Sequence, residues 1–124
     1  MDKNRNGRIY PKGILEHGVN KKFKKYIIDI DGTICNTTEA GYEFAKPLKD
    51  RIKKFNKIYD RGHYITYWTA RGTTTGIDWR ELTEKQLKEW GVKYHVLNLK
   101  KPEYDFWIDD KCVNPDEFSF RFYR

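Results

Sequence analysis

The sequence predicts an α/β fold with a small parallel sheet, because short apolar strands alternate with amphipathic helices along its 124 residues. The run at 24–30 is short, apolar and rich in β-branched residues, which favours a strand buried on both faces. Three later runs are similar in length, and two of them are rich in aromatic residues. We therefore expect strands at 24–30, 63–68, 94–99 and 104–108.

Two helices are predicted between these strands. The first begins at Pro47, a residue accepted at a first helical position, and its apolar residues recur at helical spacing as far as Tyr59. The second begins at a capping pattern formed by Asp78 and Glu81 and ends before Gly91. No linker interrupts this pattern, so we expect residues 23–124 to form one domain.

The positive charge is concentrated near the N-terminus. The whole chain has a net charge of +7, but residues 1–26 hold eight Lys and Arg residues against only Asp2 and Glu16. Glycines and a proline there prevent a long regular element, so residues 1–22 are expected to form a basic arm. Such an arm either contacts nucleic-acid phosphates or is simply solvated, and the sequence leaves both open.

Several classes of protein are excluded by composition. No apolar run is long enough for a membrane span, and the first ten residues lack the apolar stretch of a signal peptide. Cys35 and Cys112 stand alone, which indicates neither a disulfide scaffold nor a zinc site. The three histidines show no pairing pattern. We therefore expect a cytoplasmic protein without a membrane partner.

Polar side chains occur where the predicted strands end. In open parallel sheets, ligands bind beyond the carboxyl ends of the strands, so these groups should meet. Four carboxylates crowded together without a cation would be costly, and oxygen ligands favour Mg²⁺. The residues concerned are Asp29 and Asp31, Thr69, Lys101, and Asp109 and Asp110.

The order of these residues resembles that of a known family. The segment Asp29-Ile30-Asp31-Gly32-Thr33 is similar to the first signature of the haloacid dehalogenase-like (HAD) superfamily, whose members are mostly Mg²⁺-dependent phosphatases. Thr69, Lys101 and the pair Asp109-Asp110 resemble its later signatures, in order, over about residues 25–118. The resemblance implies a three-layer, HAD-like Rossmannoid fold.

The resemblance also implies a role for each residue. Asp29 would be the nucleophile that accepts the phosphoryl group, and Asp31 the acid that protonates the leaving alcohol and then activates water. Thr69 and Lys101 would hold the phosphate oxygens, and Arg71 would also contact the substrate. Mg²⁺ would be held by Asp29, Asp31, Asp109 and Asp110, with the order of the last two left open.

The spacing of the signatures leaves no room for a cap domain. Only 37 residues separate Asp31 from Thr69, and 31 separate Thr69 from Lys101. The chain thus resembles the capless members of the family, which often act on large substrates or borrow a lid from another subunit in an oligomer. Its ending resembles small phage and bacterial members, and 6–11 resembles a stretch of tailed-phage prohead proteases. A phage protein would act in the host cytoplasm.

The sequence therefore predicts a Mg²⁺-dependent phosphomonoesterase with an aspartyl-phosphate intermediate. One alternative is a polynucleotide 3′-phosphatase, which the basic arm and the open site favour. Another is a non-catalytic binding or virion-associated module that keeps the HAD fold. The presence of both Asp29 and Asp31 argues against this last alternative.

Overall fold

The computed structural model describes residues 2–3, 9–10 and 23–118. Near the N-terminus, β1 (Asp2–Lys3) and β2 (Ile9–Tyr10) pair in antiparallel orientation. The rest of the predicted basic arm lies outside the described residues. The elements that follow are β3 (Lys25–Ile28), β4 (Cys35–Thr38), β5 (Gly41–Pro47), α1 (Lys49–Asp60), β6 (Tyr64–Trp68), α2 (Arg80–Glu89) and β7 (Val96–Asn98).

The central sheet contains three parallel strands in the order β3, β6, β7. This arrangement confirms the predicted α/β class with a parallel sheet. Alternate residues of each strand point to opposite faces, and Ile28 of β3 is aligned with Tyr67 of β6, which is aligned with Leu97 of β7. These three residues are buried, so one face of the sheet carries the core.

Both helices cover that same face. The two crossovers run in the same direction across the sheet, and right-handed crossovers then place both helices on one side. Asn56 of α1 is joined to the segment that follows α2, because its side chain donates to Gly91 O at 2.9 Å and accepts from Lys93 N at 2.9 Å. The described residues thus form the sheet and one helical layer. The second helical layer of the expected three-layer fold is not found among the described residues. The helices contribute Ile52, Phe55, Ile58 and Leu87 to the core.

The helices begin later than predicted. Pro47 ends β5, where it is aligned with Cys35, and α1 starts at Lys49. Asp78 precedes α2 and accepts a hydrogen bond from Arg80 N at 3.0 Å, so it shapes the turn that leads into the helix. Within the described part of the chain, no helix combines the length and apolar character that crossing a membrane requires.

A β-hairpin occupies the stretch between β3 and α1, where the sequence predicted no strand. β4 and β5 pair in antiparallel orientation between the end of β3 and the start of α1. Thr38 and Gly41 face each other at the turn, where Gly41 adopts a φ of 118°. An isolated bridge between Asp31 and Cys35 brings the base of the hairpin beside the end of β3.

The predicted fourth strand at 104–108 is wrong for the described conformation. No strand occurs between residues 99 and 118, and the side chains of Phe106 and Ile108 are 86% and 95% exposed. Lys100, with a φ of 63°, turns the chain sharply after β7. Trp107 then packs edge to face on Trp68, with ring centroids 6.0 Å apart, so the segment makes aromatic contacts in place of a strand ladder.

Two of the histidines, His63 and His95, accept hydrogen bonds from the backbone. Nδ1 of His63 accepts a hydrogen bond from Lys24 N, and Nδ1 of His95 accepts one from Ile65 N, each at 3.0 Å. The His95 ring is stacked between those of Tyr59 and Tyr64, with centroids 4.6 Å away on both sides. Each of these two rings therefore supports the backbone of a neighbouring strand or its approach. The third, His17, lies outside the described residues.

Candidate active site

The carboxyl end of β3 presents Asp29 and Asp31. The strand ends at Ile28, and the chain then turns tightly, with Thr33 N and Ile34 N donating to Ile30 O at 3.0 and 2.9 Å. Gly32 has a φ of 85° in this turn, which favours glycine. Both aspartate side chains stay partly open, with exposures of 33% for Asp29 and 26% for Asp31.

Asp29 is held by one cation and one hydroxyl. Lys101 Nζ lies 3.3 Å from Asp29 Oδ1, and Thr33 Oγ1 donates to Asp29 Oδ2 at 3.3 Å. The Lys101 side chain is only 13% exposed, so its ammonium acts in a partly desolvated setting where charge has a larger effect than in water. The sequence predicted that Lys101 and Asp29 would meet, and the structure brings them together.

Thr69 is tied to Lys101 through the backbone. It follows β6, and its carbonyl oxygen accepts a hydrogen bond from Lys101 N at 3.0 Å. The Thr69 hydroxyl oxygen accepts from Arg71 N at 3.2 Å. That bond uses a lone pair and leaves the hydroxyl proton to be donated. The residue is 1% exposed.

Arg71 has a different environment from the one predicted. Its side chain is 0% exposed, and its described hydrogen bonds all go to side chains of the protein. The guanidinium binds both oxygens of Asp31, with Nε to Oδ2 at 3.0 Å and Nη2 to Oδ1 at 2.9 Å. Nη1 donates to Thr83 Oγ1 at 3.1 Å and Gln86 Oε1 at 2.6 Å. The sequence missed this pairing because 40 residues separate Arg71 from Asp31.

Asp31 is held as a carboxylate. Burial by itself would raise its pKa, but the hydrogen bonds from Arg71 and Thr37 and the positive charge of Arg71 outweigh burial, so the pKa falls below its usual value. The Thr37 hydroxyl donates to Oδ1, and Cys35 Sγ lies 3.5 Å from the same oxygen. Both of these residues belong to β4. The hairpin is thus in contact with the candidate catalytic carboxylate.

Asp109 and Asp110 do not join this group. Both are exposed, and the pKa of Asp109 is lowered mainly by a hydrogen bond from the backbone of its neighbour Lys111. In the described part of the chain, no three His, Cys, Asp or Glu side chains lie close enough together to hold a metal ion. The structure therefore assembles Asp29, Asp31, Thr69 and Lys101, and leaves the second acidic pair apart.

The hairpin contributes residues that sequence reasoning missed. Tyr42 of β5 places its ring 4.8 Å from the Arg71 guanidinium carbon and makes an edge contact with Trp79 at 5.1 Å. The Tyr42 carbonyl accepts a hydrogen bond from Gln86 Nε2 at 2.7 Å. The alternation of Tyr42, Phe44 and Lys46 after Gly41 was the available signal for a strand here.

A comparison with solved structures finds one similar protein of known fold. The chain is 30% identical to an MCSG target from Vibrio cholerae, whose crystal structure matches this one with a TM-score of 0.68. The match covers 77% of this chain and 86% of the other. The chain belongs to the same family as this Vibrio cholerae protein. Nearly the whole length of the Vibrio cholerae relative is represented here, so the two share the α/β domain.

Two further comparisons give no match. No protein-family model and no curated protein matches the chain. The Vibrio cholerae relative therefore supports the fold of this chain. The chemistry of the site depends on the residues that this chain places there.

Proposed function

We propose that the protein is a HAD-like phosphatase, a phosphomonoesterase that acts through an aspartyl-phosphate on Asp29. The observation that carries this proposal is the contact between Asp29 and Lys101, 3.3 Å apart at the end of β3. A partly open carboxylate beside a lysine is suited to attack a phosphate, because the ammonium offsets the repulsion between two negative groups. Thr69, directly after the neighbouring strand β6, adds a hydroxyl donor to the same edge of the sheet.

The reaction has two displacements. In the first, an oxygen of Asp29 forms a bond to phosphorus and the ester P–O bond breaks. The leaving alcohol takes a proton from those molecules in which Asp31 is protonated, a small fraction because Arg71 lowers the pKa of this carboxyl group. In the second, the Asp31 carboxylate accepts a proton from water while the water oxygen attacks phosphorus. The P–O bond to Asp29 then breaks, which releases inorganic phosphate and restores both carboxyl groups.

Lys101 and Thr69 hold the phosphate in this proposal. The ammonium and the hydroxyl each donate to a nonbridging oxygen. Because Lys101 N is hydrogen-bonded to Thr69 O, the backbone segments that carry the two donors are held together before the substrate arrives. Donors that are already in place stabilise the charge on the phosphoryl oxygens with little reorganisation.

The Mg²⁺ ion implied by the family resemblance does not fit the described conformation. Both oxygens of Asp31 are bound by Arg71, and the described residues hold no group of three His, Cys, Asp or Glu side chains that could bind a metal ion. Asp109 and Asp110 would have to approach Asp29 to complete a set of oxygen ligands. We therefore assign no step of the reaction to the ion.

A polynucleotide 3′-phosphatase is the second candidate. The observation in its favour is the excess of Lys and Arg residues in 1–26, which suits a substrate with a phosphate backbone. Hydrolysis of a 3′-phosphorylated oligonucleotide should then become slower as salt concentration rises, whereas hydrolysis of a small aryl phosphate should not.

Replacement of the nucleophile tests the proposal. Asp29→Asn should abolish hydrolysis of a generic aryl phosphate while the thermal unfolding curve stays close to that of the wild type. Asp60→Asn is the matched control, because Asp60 is an exposed aspartate whose only described ion pair is with Lys93. Wild-type turnover by Asp29→Asn would show that the proposed mechanism is wrong.

A further inference from the structure

Arg71 is the most deeply buried charged group at the site. Its side chain is 0% exposed, and four hydrogen bonds satisfy it. Burying a guanidinium in this way gives little net stability, because the loss of hydration offsets most of the gain from its partners. Helix α2 nevertheless presents Thr83 and Gln86 on its buried face, where apolar side chains would pack at lower cost.

The same guanidinium connects three parts of the fold. It binds Asp31 after β3, it is bound by α2 through Thr83 and Gln86, and it lies against the Tyr42 ring of the hairpin. Gln86 links Arg71 to the hairpin a second time. Its side-chain oxygen accepts a hydrogen bond from Arg71, and its side-chain nitrogen donates one to Tyr42 O. One buried side chain therefore contacts both the candidate catalytic carboxylate and the hairpin beside it.

We propose that Arg71 is a positioning residue that fixes the Asp31 carboxylate and the β4–β5 hairpin in one arrangement. The proposal rests on the phosphatase function proposed above. Two parallel hydrogen bonds set both the position and the plane of the Asp31 carboxylate, which a single contact would leave free to rotate. The contacts with Tyr42 and Gln86 hold the hairpin over the same carboxylate.

This arrangement predicts how the loss of Arg71 changes the kinetics. A buried residue that does not contact the substrate should affect kcat much more than KM, because it orients a group that acts in the reaction. Misplacement of Asp31 by about 1 Å would lower kcat by about 10²-fold. Arg71→Lys keeps the charge but loses the fork of two donors, so its kcat should be intermediate.

The experiment compares Arg71→Gln and Arg71→Lys with Arg80→Gln. Arg80 is the control arginine, because it is exposed and its described partners are Glu84 and Leu97 O, which belong neither to the hairpin nor to the Asp31 turn. Steady-state kinetics with an aryl phosphate and amide hydrogen exchange over 35–47 are measured on each full-length variant. We expect Arg71→Gln to show a fall in kcat of about 10²-fold, an almost unchanged KM and at least about tenfold faster hairpin exchange.

Each other outcome overturns the proposal. A raised KM with an unchanged kcat would mean that Arg71 contacts the substrate. Wild-type exchange in the hairpin would mean that Arg71 does not hold the hairpin.

Gln86→Leu covers the case in which Arg71→Gln does not fold. This substitution removes the hydrogen bond from Gln86 to Tyr42 O and keeps the bonds between Arg71 and Asp31. Its hairpin should exchange faster, and unchanged exchange would also overturn the proposal. If the wild type hydrolyses no phosphate, the proposed function fails, whereas hairpin exchange still tests the contact with Arg71.

Discussion

Arg71 and Asp31 form a bidentate ion pair across 40 residues of sequence, with N···O distances of 3.0 and 2.9 Å. The pair joins the loop after β6 to the turn after β3, so the ends of two neighbouring strands are fixed relative to each other. The loop that carries Arg71 is therefore as important for the site as the strands themselves. Substitution of its glycines, Gly72 and Gly76, tests how tightly this loop is held.

Gly72→Ala should destabilise the protein much more than Gly76→Ala. Both glycines have a positive φ, of 80° and 74°, so each substitution should cost about 1–2 kcal/mol from backbone strain. A Cβ atom at Gly72 would also lie 2.0 Å from the carbonyl oxygen of Ile77, whereas one at Gly76 meets nothing within 4 Å. Urea unfolding of the two variants measures the difference. Equal losses in the free energy of unfolding would show that the loop accommodates a Cβ atom at Gly72 without further cost.

Lys101→Met should lower kcat/KM by about 10²–10³-fold, the usual effect of removing one donor that stabilises transition-state charge. Lys101 contacts Asp29, whereas the neighbouring Lys100 is exposed, so Lys100→Met is the matched control. Both substitutions keep the length and most of the apolar stem of the side chain. Similar rates for the two variants would remove Lys101 from the proposed site.

The two cysteines should differ in reactivity with iodoacetamide. Cys35 is fully buried, and burial, with a smaller contribution from the Asp31 charge, raises its pKa to about 11. Thiolate is the reactive form, so Cys35 should be almost inert at neutral pH, whereas the exposed Cys112 should react readily. Mass spectrometry should find one modified cysteine in the folded protein and two in urea. Rapid modification of Cys35 in the folded protein would contradict this burial.

Mg²⁺ should change the environment of Trp107 if hydrolysis depends on the ion. Asp109 and Asp110 lie apart from Asp29, so they can reach it only if the segment after Lys101 moves. Such a movement would separate Trp107 from Trp68. In that case chelation abolishes hydrolysis, and Mg²⁺ alters tryptophan fluorescence in the wild type but less in Trp107→Phe. Loss of hydrolysis on chelation, without any spectral change when Mg²⁺ is added back, would contradict the predicted movement.

Local patterns in the sequence predicted most of the central sheet and its helices. The aromatic and β-branched residues of the run 63–68 predicted a strand, and β6 is found at Tyr64–Trp68. The meeting of Asp29 with Lys101 was also predictable, because parallel strands end at the same edge of a sheet. These features depend on short-range periodicity and on one topological rule.

Features that depend on long-range contacts could not be predicted in this way. The Arg71–Asp31 pair brings together two loops that show no shared pattern in the sequence. The apolar run containing Phe106 and Ile108 indicated a strand, but the turn at Lys100 directs it away from the sheet. Intrinsic strand preference was thus overridden by tertiary context.

The most direct test of the central claim is to trap the phosphoryl group on Asp29. Asp31→Asn should slow the second displacement by about 10²–10⁴-fold, because the water then lacks its general base. The intermediate should therefore accumulate when this variant is mixed with an aryl phosphate and quenched in acid. We predict that mass spectrometry will find one added phosphoryl group on the peptide that contains Asp29. Continued release of phosphate with no phosphoryl group on that peptide would contradict the account.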